Sequence, residues 1–210
     1  RAPDVEAHLR QAWSAVRRGE VNAAGLGFYD RLVDELLAAG IQPVATLYHW
    51  DLPSALQREG GWTRRSTGEA FAALARTVVG ALGDRVTTWI THNEPQVVSL
   101  VANADGVHAP GTRDIGTALK VAHEVLVSHG MAMHEIREVA PHVRAGITLD
   151  INVIEPAEPA DPAHVRAAGL LDGQLARGFL DPVMGRGYPE DVAAYYGDAA
   201  PRPTAGDLEL

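Results

Sequence analysis

The chain contains no cysteine, and this absence excludes disulfide bonds, thiolate nucleophiles and cysteine-ligated metal centres. Long apolar runs are absent as well, since none approaches the roughly 18 residues that a membrane-spanning helix requires. The charged N-terminal sequence "RAPDVEAHLRQ" lacks the pattern of a signal peptide. From these three absences we expect a cytoplasmic location and no membrane partner.

Basic residues are few, with 18 Lys and Arg against 27 Asp and Glu and a formal net charge of −9. Nucleic-acid binding depends on clustered basic side chains that neutralise phosphates, so we expect no nucleic-acid partner. The chain does have the composition of a globular domain, because 46% of its 210 residues are hydrophobic and such a length can bury a core. We interpret residues 1–210 as a single domain.

The hydrophobic pattern predicts three β-strands that alternate with helices. The strands are predicted at 41–50, 85–94 and 143–152, and each is apolar through its middle, as expected for burial on both faces. Helices are predicted from their 3.6-residue periodicity at 26–39, 66–82, 117–139 and 162–177.

Cap residues support two of the helix boundaries. Gly40 is predicted to end the first helix, and Gly83 the second. Ser66 or Thr67 is predicted as the N-cap of the second helix, with Glu69 completing a capping box.

Alternation of helices and strands predicts a parallel sheet, in either a doubly wound fold or a (β/α)₈ barrel. No G-x-G-x-x-G or G-x-x-x-x-G-K-[ST] segment follows a predicted strand, which disfavours the nucleotide-binding form of the doubly wound fold. The loops after the strands are long and rich in Trp, His, Pro and Gly. We therefore expect an α/β fold of the (β/α)₈ TIM-barrel type.

Polar and aromatic side chains collect where the predicted strands end. Because the carboxyl ends of parallel strands meet at one face, these side chains are expected to share a pocket. Amides, imidazoles and carboxylates bind hydroxyl groups, and flat rings cover the C–H face of a pyranose, so a sugar is the expected ligand. The polar and aromatic residues at the three strand ends are His49, Trp50, Asp51, His92, Asn93, Glu94, Asp150 and Asn152, and no role is assigned to His92.

Glu94 is the strongest catalytic candidate among them. A carboxyl group beside apolar rings suits a general acid, because desolvation favours its protonated form. The alternative is structural: Glu94 would be an acidic residue in the first turn of a helix, with Asn93 as its N-cap. The residue types alone leave both interpretations open.

The nine histidines require a test for a metal site. His123, His129 and His134 lie on one predicted helix, but their spacings of six and five residues do not align them as i, i+4 ligands, and no H-E-x-x-H motif occurs. No G-x-S-x-G elbow occurs either. We expect neither a metal ion nor an organic cofactor.

Several long motifs, in matching order, resemble glycoside hydrolase family 1, the β-glucosidase family. "YHWDLPSALQREGGW" at 48–62 resembles the family's third-strand signature, and "TWITHNEP" at 88–95 resembles its fourth-strand motif, usually read T-F-N-E-P. "GVHAPGTRD" and "FLDPVMGRGYPEDV" follow in the expected order. The resemblance covers about 19–210, and the segment 1–18 matches poorly.

The resemblance implies strands three to five of a (β/α)₈ barrel and hydrolysis of the O-glycosyl bonds of β-glycosides with retention. It implies that Glu94 is the general acid/base, which protonates the leaving oxygen and then activates water. It also implies that Asn93 contacts the sugar 2-hydroxyl and that His49 and Trp50 bind the non-reducing sugar. The implied partner is a small β-glycoside or sugar.

This chain departs from the family pattern because it lacks the motif that supplies the second carboxylate. Retention requires a nucleophilic carboxylate about 5–5.5 Å from the acid/base, which the family supplies as a Glu in a T-E-N-G motif at its seventh strand. These 210 residues contain no such motif. Moreover, His92 replaces the usual Phe, and Asp150 stands where Asn is common. We expect no turnover by the isolated chain.

An open piece of a barrel leaves two strand edges unpaired, so we expect an oligomer or a complementing segment to cover them. Two alternatives for the function stay open. One is a non-catalytic sugar-binding or structural remnant of such an enzyme. The other is an inverting hydrolase that uses Glu94 and Asp150.

Overall fold

The structure, a computed structural model, describes residues 21–209; the poorly matching segment 1–18 discussed above lies outside this range. Helices α1 to α7 are Ala23–Ala38, Ser54–Arg58, Arg65–Leu82, Ile115–Val139, Pro162–Asp172, Gly178–Val183 and Glu190–Tyr196. Strands β1 to β3 are Val44–Tyr48, Thr88–Asn93 and Arg144–Thr148. Val97–Ala104 and Gly173–Arg177 are π-helical, and Gly61–Thr63 and Gly197–Ala199 are 3₁₀ turns.

The three strands form one parallel sheet in the order β1-β2-β3, which confirms the parallel sheet expected from the alternating pattern. Tyr48 lies opposite His92 at the end of the first pair, and Asn93 lies opposite Thr148 at the end of the second. The β2–β3 register is irregular between Ile90 and Asn93. Each strand is shorter than predicted, because the flanking residues leave the ladder.

Burial on both faces, predicted for all three strands, is wrong for β1 and β3. Most of their residues are exposed or half-buried, and Val44 is 59% exposed. In β2, by contrast, Trp89, Thr91 and His92 are buried. The difference follows from position, because β2 is paired on both edges while β1 and β3 each pair on one edge within residues 21–209.

A Schellman motif ends α1 and confirms the role predicted for Gly40. Gly40 is left-handed, with φ +74°. Its N–H donates to the Leu37 carbonyl, and the Ile41 N–H donates to the Leu36 carbonyl, each at 2.9 Å. Gly83 ends α3, also as predicted, and its N–H donates to Val79 at 2.8 Å.

Two other helix predictions are corrected. The N-cap of α3 is Arg64, which makes no side-chain cap bond, rather than Ser66 or Thr67. The Thr67 hydroxyl donates instead to the Gly61 carbonyl at 2.7 Å, because Thr67 packs into the preceding turn. The helix predicted at 162–177 is α-helical only to Asp172 and then becomes π-helical.

Arg177, the last residue of the π-helical segment, binds groups on both sides of it. Its guanidinium donates to the Gly169 carbonyl at 2.8 Å and pairs with Asp172 at 2.7 Å and Asp191 at 2.8 Å. The Gly169 carbonyl also accepts the Gly173 N–H, so the side chain adds a second donor to a carbonyl that is already bonded.

Residue contacts divide the chain into two compact units. The first contains the described residues up to Asn93 together with Ser128–Thr148, and the second contains Glu94–Val127 together with the described residues from Leu149 onward. The sheet and α1 to α3 therefore belong to the first unit, and α5 to α7 to the second. The single-domain interpretation of 1–210 stays a prediction. Between residues 21 and 209 no helix combines the length and apolarity needed to cross a membrane.

His92 is completely buried in the core of the first unit. Its ring lies 4.3 Å from the ring of Phe71 and 5.2 Å from that of Trp62, measured between centroids, with Tyr48 at 5.5 Å. Nε2 bonds to the Ser128 hydroxyl at 2.9 Å, while Nδ1 has no hydrogen-bond partner within 21–209. An imidazole therefore occupies an aromatic cage.

A second buried histidine lies next to it. The Thr91 hydroxyl donates to the Gly146 carbonyl at 3.1 Å, and His129 Nδ1 lies 2.8 Å from the same hydroxyl. Burial lowers the pKa of His92 well below 6.5, with nearby His129 adding to the effect. Burial and, secondarily, Arg137 lower the pKa of His129 to about 4. Both rings are therefore neutral at pH 7.

Gly40→Ala is expected to destabilise the chain by about 1–2 kcal/mol, because a side chain at a left-handed position is strained. The matched control is Gly80→Ala within α3, where the added Cβ would meet Val139 at an ordinary 3.9 Å. That variant should be about 0.5–1 kcal/mol more stable, because Ala loses less backbone entropy in a helix. Urea unfolding measures both; equal signs for the two variants would contradict the prediction.

Acid is expected to destabilise the fold through His92 and His129. Below the ordinary pKa of about 6.5, the unfolded chain binds protons that the folded state excludes, so the free energy of unfolding falls as the pH decreases. Each histidine contributes a slope of about 1.4 kcal/mol per pH unit, down to about pH 4 for His129. Urea unfolding at pH 7, 6 and 5 measures this slope.

His92→Phe should remove one histidine's share of that slope. His164→Phe is the matched control, since His164 is exposed and should leave the slope unchanged. Identical slopes in the two variants would contradict the assignment.

Candidate active site

The residues after β1 place an imidazole and an indole beside the end of β2. β1 ends at Tyr48, and the chain turns at Trp50, which has a left-handed φ of +76°. The Trp50 Nε1–H donates to the Asn93 carbonyl at 2.9 Å. His49 packs edge-on against Trp50 with ring centroids 5.0 Å apart. The structure thus brings together three of the predicted site residues within the first unit.

Asn93 is the last residue of β2 and lies in register with Thr148 of β3. The alternative in which Asn93 caps a helix and Glu94 is an acid of its first turn is therefore wrong. Strand pairing on one side and the Trp50 indole on the other hold Asn93 in the sheet. Its side chain remains half-buried at the strand end.

Glu94 follows Asn93 directly and is also half-buried. Its φ is +49°, a conformation that costs a non-glycine residue of order 1–3 kcal/mol and occurs preferentially at functional sites. Its carbonyl accepts the Val97 N–H at 2.9 Å, so the helical turn that starts at Pro95 begins immediately after it. The carboxyl group is therefore carried at an abrupt strand-to-helix junction.

Gln96 was missed by the sequence reasoning. It is buried, and its Nε2 donates to the backbone carbonyls of Asp150 at 2.8 Å and Leu175 at 3.3 Å, all within the second unit. Ser99 adds a bond from its hydroxyl to the Pro95 carbonyl at 2.7 Å. The available signal was an amide directly after N-E-P at the start of an apolar run.

Asp150 and Asn152 follow β3 but lie beyond its last residue, Thr148. Both are exposed, and the Asn152 amide donates to the Asp150 carboxylate at 3.4 Å. Asp150 is fixed mainly through its backbone carbonyl, which Gln96 binds. The structure therefore gives these two side chains a loop position rather than the strand position that was predicted.

Tyr48 lies buried directly before His49. Burial raises the pKa of its phenol far above 10, against a smaller lowering by the Trp62 hydrogen bond, and nearby Asp51 raises it further. Burial and Asp51 also raise the pKa of Tyr29. Tyr48 is consequently a neutral support beneath the site.

The histidines of α4 have other partners. His123 bonds to the Tyr188 hydroxyl at 2.9 Å and the Asp207 carboxylate at 3.2 Å. Across the described part of the chain, no three His, Asp or Glu side chains are grouped to hold a metal ion.

The model of "Glycosyl hydrolase family 1" matches residues 11–210, starting before Gly19. Beta-glucosidase A of Acetivibrio thermocellus is 44% identical over 85% of this chain and 40% of its own length.

Two solved structures show the same fold. The psychrophilic beta-glucosidase BglU of Micrococcus antarcticus has a TM-score of 0.87 at 40% identity, over 98% of this chain and 48% of its own. Virulence factor SghA of Agrobacterium tumefaciens, in complex with its substrate analog salicin, has a TM-score of 0.86 at 40% identity, over 90% and 41%.

The chain thus spans between two fifths and a half of the length of these relatives. Its parallel strands and alternating helices form part of a (β/α)₈ barrel, which confirms the predicted fold class. The family match extends over nearly the whole sequence and includes the strand end that carries Asn93 and Glu94. This chain belongs to glycosyl hydrolase family 1.

Proposed function

We propose that this chain carries the acid/base half of a retaining β-glucosidase site, with Glu94 as the general acid/base. The observation that carries the proposal is the strand-to-helix junction at the end of β2, where Glu94 follows Asn93 in a left-handed conformation. Relatives named beta-glucosidases, at about 40% identity, support the reaction class.

In this proposal the reaction proceeds in two steps. Glu94 first donates its proton to the glycosidic oxygen while the second carboxylate attacks the anomeric carbon, so that the glycosidic bond breaks and a glycosyl ester forms. The resulting carboxylate then removes a proton from water, which attacks the glycosyl intermediate and releases the sugar. One group therefore serves both steps in opposite protonation states.

The neighbouring side chains would bind the sugar. The Asn93 amide would bond to the 2-hydroxyl, a contact that strengthens in the transition state. His49 would bond to another hydroxyl. Trp50 is 37% exposed, and its ring would cover the C–H face of the sugar. SghA, crystallised with its substrate analog salicin, supports a glycoside as the ligand class.

The second carboxylate would come from outside these 210 residues. Retention requires two carboxyl groups about 5–5.5 Å apart, and the sequence contains no T-E-N-G segment. The chain also spans less than half of the relatives that it matches. We therefore propose that a complementing segment supplies the nucleophile, and that the 210 residues alone bind sugar without hydrolysing it.

Glu94→Gln is expected to lower the rate of aryl β-glucoside hydrolysis by about 10²–10⁴-fold, since the amide cannot transfer a proton. The assay uses the protein as its source organism produces it, with nuclear magnetic resonance to follow the anomer formed first. Glu69→Gln, an exposed change on α3, is the matched control and should retain full activity. Undiminished hydrolysis by Glu94→Gln would refute the assignment. An inverted product would instead favour the mechanism with Asp150.

The 210-residue chain alone is expected to show no turnover of the same glycoside. Isothermal calorimetry with glucose tests the accompanying proposal that it still binds sugar. Hydrolysis that disappears on Glu94→Gln would show that the chain is catalytically sufficient. Glucose binding without hydrolysis in the protein from the source organism would instead favour a non-catalytic sugar-binding remnant.

A further inference from the structure

Two non-glycine residues within 21–209 have a left-handed backbone, Trp50 and Glu94. They are 44 positions apart in the sequence, yet one hydrogen bond links Trp50 to the residue directly before Glu94. The Trp50 indole N–H binds the carbonyl of Asn93 at 2.9 Å, and that carbonyl belongs to the peptide group that leads into Glu94. This hydrogen bond therefore connects the two left-handed sites.

The end of the β1–β2 ladder explains why a side chain makes this bond. The register of the two strands ends with Tyr48 opposite His92. Past that pair, the left-handed turn at Trp50 takes the β1 backbone away from its neighbour. The indole then donates to the Asn93 carbonyl of β2, beyond the last residue pair of β1 and β2.

Holding this carbonyl constrains Glu94 because a peptide group is planar. The Asn93 carbonyl oxygen, the Glu94 nitrogen and the Glu94 Cα lie in one plane. The indole bond therefore sets the direction of the N–Cα bond of Glu94. His49 packs edge-on against the indole with a centroid distance of 5.0 Å.

We propose that Trp50 is a positioning residue for Glu94, in addition to any contact between its ring and a sugar. The indole N–H holds the Asn93–Glu94 peptide so that the carboxyl group is aimed at the glycosidic oxygen. This inference rests on the proposed acid/base role of Glu94. Proton transfer requires hydrogen-bond distance, and displacement of a catalytic group by about 1 Å can cost 10²-fold in rate.

Two substrates with the same sugar but different leaving groups can distinguish the positioning of Glu94 from sugar binding. Phenoxide is a poor leaving group, so cleavage of a phenyl β-glucoside requires the proton of Glu94. Dinitrophenolate leaves as a stable anion, so cleavage of a dinitrophenyl β-glucoside depends little on that proton. The sugar itself is the same in both substrates.

Trp50→Phe, in the protein as its source organism produces it, keeps an aromatic face and removes the N–H. We expect kcat/KM for phenyl β-glucoside to fall about 10- to 100-fold, and that for dinitrophenyl β-glucoside to fall less than about threefold. Azide should raise kcat on the dinitrophenyl substrate, because it attacks the glycosyl intermediate without needing a general base and forms the glycosyl azide.

Two further variants guard against a purely structural explanation. β-(3-Benzothienyl)alanine at position 50 keeps the shape of the two fused rings but has sulfur in place of N–H, and it should reproduce the selective loss even if Trp50→Phe folds poorly. Trp89→Phe removes a similar indole bond, to the Val86 carbonyl at 2.8 Å, away from the strand end. It should lower stability without making the loss depend on the leaving group.

Equal losses on both substrates, or no loss, in the position-50 variants would overturn the inference. If the position-50 variants give such a result while Glu94→Gln loses activity selectively on phenyl β-glucoside, only the positioning role of Trp50 has failed. If Glu94→Gln hydrolyses both substrates normally, the proposed function has failed and the positioning role with it.

Discussion

β2 hydrogen-bonds to β1 along one edge and to β3 along the other, and this shared ladder determines where three loops begin. Because all three strands are parallel, their carboxyl ends lie at one edge of the sheet, where the chain carries His49, Trp50 and Asn93. A register shift of one residue would turn Asn93 to the opposite face and bring His92 to the site. The placement of every candidate residue in the first unit depends on this ladder.

The layer beneath the strand end reinforces the register with polar contacts. Thr91 binds the Gly146 carbonyl of β3, and His92 binds Ser128 of α4. Such directional bonds in a buried setting permit fewer arrangements than apolar packing alone, since a shifted partner would leave a polar group unsatisfied. The aromatic cage around His92 therefore provides close packing, and its single hydrogen bond provides orientation.

The sequence was informative wherever local physics decides the outcome. Helix periodicity located the long helices, the left-handed requirement identified Gly40, and alternation predicted the parallel sheet. It was less informative where distant groups compete for one atom. Thr67 resembles an N-cap but bonds to Gly61, and the helix predicted to reach residue 177 becomes π-helical after Asp172. The candidate residues came from their position at the strand ends and their roles from motif resemblance. The bond from Trp50 to Asn93 depends on strand register, which composition and spacing do not reveal.

The left-handed backbone at Trp50 and Glu94 has a consequence for laboratory evolution. Glycine adopts this conformation at little cost, so a screen that rewards heat tolerance alone would favour glycine at position 94 and thereby delete the candidate acid. At position 50 the same change would also remove the indole bond to Asn93. Libraries built to stabilise this protein should therefore keep both codons constant and vary exposed helix positions instead.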